Sequence, residues 1–406
     1  MTEKRIRLRK REPLSDTQML MFISIGIFCA MYIGAMLTLG GGFLKPQQIF
    51  DLLNDNAALI IISCALTIVM IGGGINISVG GVIGLTVMAC ALFLNGNSIE
   101  NSALSIVLTL LLALGIGLGF GLLQGFLVAH LEIQPFIVTL AGMFLARGLT
   151  TILSVNPVKV THEGFLELVK TKLTIPWLGY TAQNGNLIPA KIEIGALVAL
   201  AVVILMFLQL RYTKLGRSIY AVGGNRQSAL MLGINVRSTV FWSYVISGVL
   251  SGLAGFVFLM HKPAGNASVA IRSEMDAIAA SIIGGTLLTG GVGNVIGTFF
   301  GAMILSTIQK IIALSPLNAS WWQEMANGAM LSFFILLQSV VLMRKNRARA
   351  KKRKMKAEFW FVVGSQVLYG PEVLETIEAR AGNVSSRMSA LRSERESAVL
   401  LDPFSN

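Results

Sequence analysis

The feature that most constrains this chain is a succession of long apolar stretches, separated by glycine-rich breaks and basic loops. They fall near residues 19–39, 57–71, 79–94, 104–129, 136–153, 194–210, 240–259, 277–288, 296–314 and 326–342. Crossing about 30 Å of hydrocarbon takes roughly 20 predominantly apolar residues in a helix. Only structures that pair every backbone N–H and C=O internally survive in that solvent. With 54% hydrophobic and 13% charged residues and a mean hydropathy of +0.71, the composition excludes an ordinary water-soluble domain. The expected fold class is all-α, a polytopic membrane protein of about ten helices. The stretches beginning near 57, 79 and 277 are short and glycine-bounded, so their edges are the least defined.

A net charge of +13 can signal nucleic acid, but here the basic residues collect at membrane edges, and no nucleic-acid partner is expected. Lys4, Arg5, Arg7, Arg9, Lys10 and Arg11 precede the first stretch, and a run from Arg344 to Lys356 follows the last. Between the sixth and seventh lie Arg211, Lys214, Arg217, Arg226 and Arg237, with no acidic residue from Arg211 to Thr239. The positive-inside rule places all three segments in the cytoplasm. An even number of spans follows, with both termini cytoplasmic and the loop 154–193 outside. The first apolar run is about 20 residues long behind a basic stretch, which reads as an anchor and not as a cleaved leader.

Cys29, Cys64 and Cys90 lie in apolar stretches without metal-ligand spacing, and read as small core residues with no metal site. Arg147 is the main ionisable candidate inside a span, with Asp276 and Glu324 near span edges. His130, His162 and His261 fall at ends or in loops, which weighs against a proton relay. Two glycine clusters, 72–84 (GGGINISVGGVIG) and 284–297 (GGTLLTGGVGNVIG), look alike. Either they mark a parallel internal duplication, or they only let helices pack closely.

Four motifs carry a family resemblance: GGGINISVGG (72–81), QPFIVTLAGMFLARGL (134–149), GRSIYAVGGNRQSALMLGINV (216–236) and SIIGGTLLTGGVGNVIGT (281–298). Together they resemble the ribose, galactose and xylose permeases of ATP-binding cassette (ABC) importers over residues 18–343. With SWWQEMANGAML (320–331) they are most similar to galactofuranose permease subunits. The resemblance implies an ABC importer permease fold, a second permease subunit, an ABC ATPase subunit and an extracytoplasmic sugar-binding protein as partners, and the bacterial plasma membrane as location. It implies a monosaccharide as cargo and neither a catalytic site nor a cofactor. In agreement, no G-x-x-x-x-G-K-[ST] phosphate loop occurs, so ATP hydrolysis is expected on a partner. A self-sufficient ion-coupled sugar carrier is the competing reading.

The loop 211–239 is the candidate coupling element. A short helix is expected from Arg226 to Leu232, with Asn225 as N-cap and Gly233 as C-terminal stop. By resemblance, Gly223, Gly224, Asn225, Ala229 and Gly233 match the family's ATPase-docking loop. Where the family commonly carries Asp, this chain has Asn76. Asn76 and Ser78 either cap the helix beginning near Val79 or touch a sugar hydroxyl. Gln124, Thr139 and Asn56 are further polar candidates for the translocation path, or else serve helix-to-helix hydrogen bonds. Trp321 and Trp322 fit an outer interfacial belt, or else a sugar-stacking platform.

After the basic segment 344–354 the composition changes. Residues 355–374 (MKAEFWFVVGSQVLYGPEVL) resemble the start of L-arabinose isomerase, departing from it at Val367, and 392–406 match nothing recognisable. One strand with no neighbouring sheet cannot pair its backbone. The expected domains are a basic N-terminus (1–17), the permease (18–343), a juxtamembrane segment (344–354) and a cytoplasmic tail (355–406) without a stable fold or isomerase activity.

Overall fold

A computed structural model describes residues 16–39, 43, 45–96, 101–181, 187–314, 322, 325–336, 339, 340 and 343. The segments 1–15 and 344–406, with Trp321 and Glu324, lie outside the described residues. Internal contacts divide the chain into Met1–Ser339 and Val340–Asn406, and all the elements below belong to the first unit.

The elements are α1 (Asp16–Leu39), α2 (Gln47–Asp55), α3 (Ala57–Ile71), α4 (Val79–Gly96), α5 (Ser102–Ala129), α6 (Pro135–Leu153), β1 (Val158–Lys159), α7 (Glu163–Lys170), β2 (Lys172–Thr181), β3 (Leu187–Glu193), α8 (Ile194–Tyr212), α9 (Lys214–Gly224), α10 (Arg226–Met231), α11 (Val236–His261), β4 (Ala264–Gly265), α12 (Ser273–Ile283) and α13 (Val295–Leu314). A further apolar helix, α14, covers Met325–Leu336. Among the described residues seven helices (α1, α4, α5, α6, α8, α11 and α13) are long and apolar enough to cross a membrane, and α2 with α3, bent by 60°, meets the same measure when the two are taken together. Each of the ten apolar stretches carries a helix, but α12 has only 11 residues. At 1.5 Å per residue that is about half the hydrocarbon thickness. Its position also differs from the expected 277–288, because Gly284 ends the helix and residues 284–294 continue without one.

The described residues are mostly helical, in keeping with the all-α class, and carry two small strand pairs besides: β2 and β3 pair antiparallel from Lys172↔Glu193 to Thr181↔Leu187, and β1 pairs with β4. The β-branched and aromatic residues of the 154–193 loop suit strands, a local signal that the surrounding apolar runs mask. Cys64 and Cys90 are buried, whereas Cys29 is exposed on α1, since an apolar residue on a peripheral membrane helix can face lipid as readily as protein.

Side-chain contacts define the two ends of the bundle. At one, Glu132 in the α5–α6 turn meets Arg226 at 3.6 Å and Arg237 at 3.7 Å, and Ser24 of α1 donates to the Ile283 carbonyl at 2.6 Å. At the other, Lys310 lies 3.5 Å from Asp55, and Glu193 binds Lys172 at 3.0 Å and His261 at 2.9 Å. Burial raises the Glu193 pKa, but the hydrogen bonds to His261 and Lys172 outweigh it and hold the carboxyl below its ordinary range. The chain alternates between these ends along α1, α2/α3, α4, α5, α6, α8 and α11, so the start of α1, the α5–α6 turn and the α8–α11 connection share one end.

The core pair is α5 with α11. A Cβ at Gly117 would run into the Gly248 carbonyl, and one at Gly252 into the Ala113 carbonyl. The two backbones therefore touch, as small-residue spacing allows in lipid, where close packing replaces the hydrophobic drive between helices.

Candidate functional site

The two glycine clusters end their helices in the same way. Gly73 N–H bonds the Met70 carbonyl and Gly74 N–H the Val69 carbonyl; Gly285 N–H bonds Ile282 and Thr286 N–H bonds Ser281. These are the paired bonds of a Schellman closure, which needs a left-handed residue after the helix, and Gly73 (φ 82°) and Gly285 (φ 92°) supply it. The loops that follow converge on the α9–α10 corner. Gly291 N–H donates to the Ile71 carbonyl at 2.8 Å, and Gly223 fits between them so tightly that a Cβ there would overlap the Ile71 oxygen and lie 2.7 Å from Gly291 N.

This corner borders a cavity of about 630 Å³, whose lining includes Gly72–Gly74, Glu132, Gly224, Asn225, Ser243 and Tyr244. Asn225 caps α10, its Oδ1 accepting from Ser228 N–H at 2.8 Å. A third Schellman closure ends α10, with Gly233 N–H on Leu230 and Ile234 N–H on Ala229 and Gly233 at φ 76°. Ala229 is buried, packed with Val222 and Val236. Gly223, Asn225, Ala229 and Gly233 thus shape the loop while Gly224 only lines the cavity, whereas the surface the loop presents is Leu230, Met231 and Leu232, which are 51%, 80% and 78% exposed. Sequence reasoning passed over those three. Their signal was an apolar run in a short helix that needs only Ala229 for its buried face.

Since a Cβ at Gly233 meets nothing within 4 Å, a substitution there acts through backbone strain alone. Gly233→Val should uncouple sugar uptake from ATP hydrolysis while membrane insertion stays normal. Gly233→Asn, which tolerates the left-handed region, should retain most coupling. Equal coupling in both variants, measured as sugar moved per ATP hydrolysed, would remove the reason for a glycine.

Three of the five path candidates come together. Asn76 Oδ1 accepts from Ser78 Oγ at 2.7 Å and from Ser78 N–H at 3.1 Å. Gln124 Nε2 donates to Ser78 Oγ at 2.8 Å. Asn76 Nδ2 donates to Ser247 Oγ at 3.0 Å, and Tyr244 Oη donates to the Ile75 carbonyl at 3.0 Å. This network ties the start of α4 to α5 and α11, and all of its side chains are buried. An aspartate at 76 could not donate to Ser247 in its ionised form, and would carry a charge into the apolar bundle. Neither side chain caps a helical N–H; the Ser78 carbonyl begins the helix by accepting from Val82 N–H. The residues missed are Ser247 and Tyr244. The signal for Ser247 was Ser243, Ser247 and Ser251, each one helical turn apart.

The other two candidates stand apart from the network's bonds. Thr139 donates to the Pro135 carbonyl within α6 at 2.9 Å. Asn56 sits at the α2–α3 bend at the opposite end, donating to the Leu52 carbonyl at 3.1 Å.

The family described as branched-chain amino acid transport system / permease component matches residues 48–336. The inner membrane ABC transporter permease protein YjfF of Escherichia coli is 38% identical over 318 residues, covering 78% of this chain and 91% of that protein. The fructose import permease FruG of Bifidobacterium longum is 30% identical over 84% of this chain and 97% of its own. The ribose import permease RbsC of Bacillus subtilis is 32% identical over 80% and 92%. No solved structure matches. A second family, the L-arabinose isomerase N-terminal domain, matches residues 353–402, so the likeness runs further than residue 392, where the sequence reading lost it. The larger match, the apolar helices and the high coverage of the relatives together make this chain a multi-pass membrane protein that belongs to the permease components of ABC importers, among the permeases that import sugars.

Proposed function

We propose that this chain is the membrane-spanning subunit of an importer that carries a monosaccharide into the cytoplasm, driven by ATP hydrolysed on a separate subunit docked at α9–α10. The observation that carries the reading is the α10 corner. A capped helix offers Leu230, Met231 and Leu232 outward at the basic end of the bundle, and its base is wedged at Gly223 against both glycine breaks. Movement imposed on α10 by a partner is thereby delivered to the ends of α3 and α12. The basic loop, by the positive-inside rule, puts that end and both termini in the cytoplasm of a bacterial plasma membrane. The α12 and α14 segments complete the count to about ten passes, with α12 continued by the non-helical, mostly buried residues 284–294, as backbone at membrane depth requires.

The partners in this reading are an ABC ATPase, an extracytoplasmic sugar-binding protein and a second permease subunit. For the cargo, the 353–402 match supports L-arabinose, and the permease motifs support galactofuranose. Lipid vesicles holding the assembled complex should accumulate one of these labelled sugars only with ATP and binding protein present. Uptake by this chain alone, driven by a sodium or proton gradient, would replace this reading with an ion-coupled carrier.

A further inference from the structure

Beside the start of α4, apart from the network of Asn76, Ser78 and Gln124, lies a second polar group. The connection from β4 to α12 passes along α4, and Arg147 of α6 holds it by donating from Nη1 to the Val269 carbonyl at 2.5 Å and from Nη2 to the Ala270 carbonyl at 2.8 Å. Gly80 and Gly84, one turn apart on α4, leave the room. A Cβ at Gly84 would lie 3.0 Å from Arg147 Nη1, and one at Gly80 would lie 3.0 Å from the Ala270 oxygen and overlap Glu274 Oε2. Glu274 is 7% exposed, and its Oε2 has no hydrogen-bond partner among the described residues. Ala270 and Arg272, just before it, hold φ of 54° and 71°, conformations that side chains other than glycine rarely adopt.

A buried carboxylate oxygen without a donor is costly, and such a group within a membrane bundle marks a functional place. The missing complement is a hydrogen-bond donor. A cationic donor would meet the Arg147 guanidinium, which already supplies positive charge, so the unpaired oxygen suits the neutral hydroxyls of a polyol. We propose that Glu274 is a sugar-binding residue of the translocation path, its Oε2 accepting hydroxyl hydrogens of a neutral monosaccharide when the sugar parts α12 from α4. Arg147 keeps the connection in place and offers donors to the sugar's oxygens. This rests on the sugar-import reading above.

The test uses the whole complex, permease with its ATPase and binding protein, in lipid vesicles. The probes are labelled L-arabinose and D-galactose, the latter supplying its furanose form in solution, with D-ribose and D-fructose beside them. For whichever probe the wild type accumulates, Glu274→Gln should weaken the apparent affinity for uptake about tenfold or more, the worth of one hydrogen bond to a charged group. Glu274→Asp, which keeps the charge on a shorter arm, should fall between. Wild-type affinity in Glu274→Gln would overturn the proposal, as would failure of both variants to assemble, since a carboxylate serving sugar alone is dispensable for folding. An altered pH profile with unchanged affinity would make Glu274 a proton site and overturn it as well. A wild-type complex that accumulates none of the four probes overturns this inference and the sugar-import reading together; any other failure strikes the inference only.

Discussion

Gly223→Ala is expected to abolish coupled uptake, while Gly224→Ala, one residue along, leaves it close to normal. The added methyl at 223 collides with the Ile71 carbonyl oxygen and crowds Gly291 N, whose hydrogen bond to that same oxygen, at 2.8 Å, ties the two glycine breaks together. Overpacking costs typically about 1–3 kcal/mol, and a buried backbone pair forced apart adds about 1–3 kcal/mol more. The sum is large beside a domain stability of about 5–15 kcal/mol. At Gly224 a Cβ meets nothing within 4 Å, so the same chemical change serves as its own control. Uptake and detergent melting temperature, measured for both variants, decide the matter. Equal behaviour of the two would show that the corner does not transmit force through Gly223.

Met231→Asp combined with Leu232→Asp is expected to release the ATPase from an otherwise intact permease. Both side chains are more than three-quarters exposed, so charge there costs the folded chain little, surface changes being usually within about 0.5 kcal/mol. At a docked interface the same two positions would be desolvated. Losing a central apolar contact costs about 2 kcal/mol or more, so the pair should lower affinity for the ATPase by a factor of about 30 or beyond. Co-purification of the ATPase with the permease measures it, with melting temperature as the check on folding. Retained binding would move the docking surface away from α10.

The coupling loop shows how far local sequence reaches. Asn225 and Gly233 were legible as the two ends of α10, because a cap and a left-handed stop act on backbone groups within a few residues. The exposed triad 230–232 was not, since its exposure depends on Val222 and Val236 taking Ala229 into their cluster. The path candidates divide similarly. Asn76 and Ser78 are near in sequence and meet, whereas Asn56, polar and beside a span like the others, sits at the opposite end and satisfies itself on Leu52. Polar character marks a residue that needs a partner, but the partner comes from whichever helix is adjacent: Gln124 at 46 positions away, Ser247 at 171.

The sequence by itself determined that the chain lives in lipid, where its long apolar helices run and which loops carry the positive charge, because transfer of apolar helices into hydrocarbon depends on each segment's own composition. It also determined where helices must stop, through glycines whose left-handed closure is local. Only the tertiary structure decided that Gly223 fills the gap between Ile71 and Gly291, that α12 is a half-length helix, and that Glu274 lies against Gly80 with an oxygen unpaired. Each of these is a relation between segments far apart in the chain, and close packing fixes such relations through shape that no single segment carries.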